Sequence, residues 1–125
     1  MCDVITVSPL GKTWILDLDG TIVKHNGYKL DGHDTLLPGI EKFLENIGPE
    51  DMVIFVTSRK EDVKEQTIAF LKETGIRYDH IIWNAPYGER ILVNDKKPSG
   101  LQTALALNTE RDQICQVELE IDENI

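Results

Sequence analysis

Two carboxylates, Asp17 and Asp19, stand two residues apart at the end of the apolar run Trp14-Ile-Leu, and Gly20 and Thr21 follow at once. Unpaired charges at the tip of a buried strand are costly, so a cationic partner is expected against them. A divalent metal with a phosphate meets that need. Further along, Met52-Val-Ile-Phe-Val ends in Thr57, Ser58 and Arg59, and Arg90-Ile-Leu-Val ends in Asn94 and Asp95. Hard cations such as magnesium take oxygen ligands, few carboxylates and substrate phosphate, and Asp17 and Asp95 are of that type. A carboxylate such as Asp17 can also attack phosphorus to form an acyl phosphate. Asp19 can then protonate the leaving oxygen and later deprotonate the hydrolytic water. The Thr57 hydroxyl and nearby backbone N–H groups can hold phosphate oxygens, and a cation among Arg59, Arg90 and Lys97 can neutralise the transferring group.

Those residues need elements to hold them. Lys12–Leu18 reads as a buried strand, and Met52–Thr57, Tyr78–Trp83 and Arg90–Asp95 as further short strands. Pro38–Ile47 has helical spacing closed by Gly48-Pro49. A second helix runs through Val63, Thr67, Phe70 and Leu71 to Gly75, with Thr57 or Ser58 as its cap. Thr103–Leu107 suits helix or strand equally, and Ile114–Ile121 alternates like a half-exposed strand. Strands alternating with helices imply a three-layer α/β fold around one mostly parallel sheet. Its ligand site lies at the carboxyl ends of the strands, so the three polar tips should converge. The polar, turn-rich stretch 21–37 is too short for a cap domain and suits a flap or hairpin over those tips.

Composition sets the outer bounds. The chain has 125 residues, enough for a single domain over 1–125, and no repeat or linker breaks it. A formal net charge of −9 argues against nucleic acid as a partner, while a small phosphorylated metabolite can still meet a locally basic pocket. No apolar run approaches the roughly 20 residues of a membrane span, and the first residues lack the layout of a signal peptide. Cys2 and Cys115 have no metal-type spacing and suit reduced thiols in a cytoplasm. His25, His33 and His80 read as surface residues, Trp14 and Trp83 as packing residues, and Glu118–Glu123 as a solvated face.

On the residues Asp17-Leu-Asp19-Gly20-Thr21, Val56-Thr57-Ser58-Arg59 and Leu92-Val93-Asn94-Asp95, the chain resembles haloacid dehalogenase (HAD) superfamily phosphatases of the small, capless kind. The resemblance implies a Rossmann-like fold with no large cap and a magnesium-dependent phosphatase. In that reading Asp17 is the nucleophile and Asp19 the acid/base. Asp17, Asp95 and the Asp19 backbone carbonyl hold the metal. The phosphate meets Thr57, with Gly20, Thr21, Ser58, Arg59, Arg90 and Lys97 around it. Capless relatives close their sites with a flap or a neighbouring subunit, which implies a homo-oligomer contact. Two departures stand out: Asn94 replaces the usual acid or glycine before Asp95, and the basic residue of the third motif has no clear match, Arg90 lying upstream and Lys97 downstream. Trp83, Pro86 and Tyr87 are similar to capless sugar-phosphate members. Two other classes stay open. A signalling receiver domain shares the length, sheet and acidic cluster, but would carry adjacent acids after its first strand and its acceptor aspartate after a middle one. A catalytically silent phosphate- or metal-binding regulatory domain would keep the same residues.

Overall fold

The computed structural model describes residues 3–125, so Cys2 and the expectation for its thiol lie outside the described residues. Apolar runs make the strands. Thr13–Leu16 forms β2 and Met52–Val56 forms β3, paired in parallel from Thr13 against Met52 to Leu16 against Phe55. His80–Ile82 (β4) adds on the far side of β3. Asp79 locks that junction, its Oδ2 accepting from the Val53 N–H at 2.7 Å while its own N–H donates to the Val53 carbonyl at 2.8 Å. Among the described residues the architecture is therefore mixed α/β with parallel pairing, and none of their helices is long and apolar enough to cross a membrane.

The strands fall into two small sheets, not the single one expected. Asp3–Val7 (β1), which sequence reading passed over, pairs in parallel with Val117–Ile121 (β5) from the other end of the chain. Residues 90–95 do not form the expected fourth strand. They run irregular and exposed, with Ile91 85% and Val93 88% accessible, and β2 keeps an open edge. An apolar run becomes a strand only where a neighbouring backbone supplies its ladder, and here the adjacent backbone bonds are a local turn, Lys97 N–H to the Leu101 carbonyl and Gly100 N–H to the Lys97 carbonyl. Thr103–Leu107 forms neither helix nor strand.

Helices α1 (Gly27–Leu30), α2 (Ile40–Leu44) and α3 (Lys64–Glu73) fill the connections. Neither Thr57 nor Ser58 caps α3, because a 3-10 turn at Glu61–Val63 intervenes and the helix starts later. Its end falls where the sequence placed it. Gly75 takes a left-handed φ of 74°, and the Ile76 N–H closes back on the Leu71 carbonyl at 3.0 Å.

The stretch 21–37 leaves the core and returns as a narrow antiparallel excursion. Val23 bridges Leu36, the Lys24 N–H donates to the Thr35 carbonyl, and the Leu37 N–H donates to the Ile22 carbonyl. Ile22 and Val23 are fully buried, and Leu18, Ile40, Phe55 and Leu71 pack in the same core. The root of the excursion is thus part of the core, while α1 near its tip faces the ends of β2 and β3.

Candidate functional site

The chain leaves β2 through a loop whose hydrogen bonds turn it sharply. The N–H groups of Thr21, Ile22 and Val23 all point to the Leu18 carbonyl, and the Gly20 N–H donates to the Val23 carbonyl at 2.7 Å. Gly20 sits at φ 81°, a left-handed conformation that a side chain would strain. A Cβ there would also press on the Arg111 stem, 3.3 Å away. The turn presents Asp17 and Asp19 to a cleft of about 490 Å³. Its walls come from the 21–37 excursion, the end of β3, the 87–90 loop and the 109–111 segment. A separate hollow of about 530 Å³ runs along α2 between Leu36 and Glu45 and holds none of the candidate site residues.

Arg59 is the centre of the site. Its side chain is only 1% accessible, and its five N–H groups all have protein acceptors. Nε and Nη2 grip Asp19 bidentately at 3.0 and 2.9 Å. Nη1 and Nη2 grip Asp34 at 3.0 and 2.7 Å, and Nη1 also donates to the Thr67 hydroxyl at 2.9 Å. The Tyr28 ring covers the guanidinium face at 4.1 Å. Burial works against the charge of Arg59, but hydrogen bonds and attraction from Asp19 and Asp34 outweigh it and hold its pKa above the ordinary arginine value. A guanidinium so engaged orients Asp19 and has no N–H left for a phosphate in this arrangement.

Asp17 is held more loosely. Arg90 Nη1 donates to its Oδ1 at 2.9 Å and the Thr21 hydroxyl to its Oδ2 at 3.2 Å. Both Asp17 and Arg90 side chains are 39% accessible, so this pair is open to the cleft and to exchange with a ligand. Of the two cations weighed for the third motif, Arg90 reaches the cleft. Lys97 lies in the exposed 97–101 turn, outside the cleft lining.

Thr57 and Asp95 sit differently from the sequence expectation. Thr57 is 1% accessible, and its hydroxyl accepts the Arg59 backbone N–H at 3.1 Å, which shapes the turn after β3 while Ser58 faces the cleft. Asp95 is exposed, its backbone carbonyl accepting from the Thr103 hydroxyl, and it is not part of the cleft wall. Among the described residues no group of three or more acidic, histidine or cysteine side chains gathers at metal-binding distances. Asp17, with an accessible carboxylate, still fits the modest demand of magnesium for one or two carboxylates beside water and phosphate.

Sequence reading missed the residues that complete the site. Asp34, Tyr28 and Thr67 surround Arg59, and His25, Lys29 and Arg111 join the cleft wall. The Nδ1 of His25 is buried without a hydrogen-bond partner among the described residues. The wall carries four cations, Lys29, Arg59, Arg90 and Arg111, against the carboxylates of Asp17 and Asp19. A concentration of cations in a chain of net charge −9 is a signal that only the folded arrangement reveals. No protein-family model matches the chain, and neither the curated proteins nor the solved structures contain a match.

Proposed function

We propose that this protein is a magnesium-dependent phosphatase of the HAD type, acting on a small phosphorylated metabolite through an aspartyl-phosphate intermediate. One juxtaposition carries the reading: two carboxylates at the tip of a parallel strand open on a cleft with more cations than acids in its wall, within an acidic chain. Asp17, the accessible carboxylate, attacks phosphorus, and the ester P–O bond breaks as the leaving oxygen takes a proton from Asp19. Water then attacks the acyl phosphate, Asp19 takes the proton back, and inorganic phosphate leaves. Arg90, already on Asp17, offsets charge on the transferring group. Magnesium would be held by Asp17 and the Asp19 backbone carbonyl, where it would neutralise phosphoryl oxygens. In this reading the parallel β2–β3–β4 layer is the centre of a Rossmann-like fold. The 21–37 excursion serves as flap within one domain, a second copy helps to cover the opening, and the scarcity of cysteines suits a cytoplasmic protein.

The test is release of nitrophenolate from 4-nitrophenyl phosphate with magnesium. Wild-type protein should turn over and Asp17→Asn should fall by at least about 10³-fold, as removal of a nucleophile does. Equal rates would overturn the proposal. A lasting phosphoryl adduct from acetyl phosphate without turnover would point to a receiver-like domain instead.

A further inference from the structure

With magnesium bound, the cleft would hold more positive charge than a phosphoryl group and the neighbouring acids can match. Arg90 faces Asp17, and Arg59 is shared between Asp19 and Asp34. Lys29 and Arg111 line the same cleft, and neither forms an ion pair among the described residues. Counting Asp34 with the two catalytic acids, the four cations leave one positive charge in surplus. A divalent ion and a dianionic phosphoryl group cancel one another and do not change that count.

The position of Arg111 is built into the fold. The next residue, Asp112, donates its N–H to the Gly20 carbonyl at 2.8 Å and accepts the His25 N–H on its Oδ1 at 2.7 Å. These two bonds fasten the 111–112 turn to the loop that carries Asp19 and to the flap. Asp112 adopts φ 62° to make both, and the Arg111 stem lies over the face that Gly20 leaves bare. Lys29 approaches from α1 on the flap, so the two cations reach the cleft from separate walls. Both residues are exposed and carry no core packing.

Resting on the phosphatase reading, we infer that the substrate is a phosphomonoester that also bears a carboxylate, and that Arg111 and Lys29 bind this second anionic group. A neutral phosphosugar would leave the surplus charge unmatched. A carboxylate gains charge-assisted hydrogen bonds from a guanidinium that already stands at the cleft.

Calorimetric titration with two phosphonates tests this without turnover. Methylphosphonate offers the phosphoryl mimic alone, and 3-phosphonopropionate adds one carboxylate. With magnesium present, the wild-type protein should bind 3-phosphonopropionate at least about tenfold more tightly. The Lys29→Gln/Arg111→Gln double variant should lose that preference, its two affinities falling within about threefold of one another. Equal wild-type affinities, or a preference that survives the double substitution, overturns the inference and leaves the phosphatase reading standing. If neither phosphonate binds and 4-nitrophenyl phosphate is not hydrolysed, both fail together.

Discussion

Arg59 joins three parts of the chain that no sequence spacing connects: the β2 tip through Asp19, the flap through Asp34 and Tyr28, and α3 through Thr67. Removing the guanidinium strands two carboxylates, and Asp34 is almost inaccessible. Arg59→Ala should therefore cost about 3–5 kcal/mol of stability, read as a lower urea midpoint. Arg59→Lys should recover little, because an ammonium cannot serve two bidentate partners. Asp34→Asn asks a finer question. While Asp19 carries its proton in the proposed cycle, Asp34 is the partner left to neutralise Arg59. That substitution should lower kcat about tenfold with KM little changed, and Asp34→Glu should restore part of it. A loss confined to KM would show that Asp34 serves binding instead. At this scale the paired aspartates were legible because a strand ending in two acids has few other uses. Asp34 was not, since it looked like any polar residue in a turn-rich stretch and its partner lies 25 positions away.

The approach to β3 depends on Asp51, one acid that serves three donors. Its Oδ1 accepts the Lys12 N–H, and its Oδ2 accepts the Trp14 indole and the Gly48 N–H, each at 2.9 Å. Burial raises its pKa, but those three hydrogen bonds and the Lys12 charge prevail and hold it below the ordinary carboxylate value. A depressed folded-state pKa contributes stability above the unfolded value of about 3.9, and that contribution drains away as pH falls through the folded value. Asp51→Asn should thus lower the melting temperature at pH 7 and narrow its gap from wild type below about pH 4. A constant gap across that range would refute this account. Strands β2 and β3 and the Gly75 stop were readable from continuous apolar runs and a left-handed glycine. Strand β1 was not, because its partner is at the opposite end of the sequence and neither strand is buried on both faces. The Arg90–Asp95 run misled for a related reason: apolar β-branched residues state a preference for pairing, and only the rest of the molecule decides whether an edge is there.

That edge exists on β2, where Ile15 is 52% accessible with no further strand beside it among the described residues. An exposed edge is a template on which another backbone can pair. Amides of residues 91–94 make no backbone ladder among the described residues and should exchange at least about tenfold faster than those of β3. Slow exchange there would show that the segment pairs with another backbone in solution. The pairing of β1 with β5 carries a mechanical consequence. These strands run the same way, from Asp3 beside Val117 to Val7 beside Ile121. A pull on the two ends of the chain drags the strands along one another and loads all their rungs together, where a hairpin would unzip one rung at a time. In an optical trap this small sheet should act as a clasp, failing in a single abrupt rip.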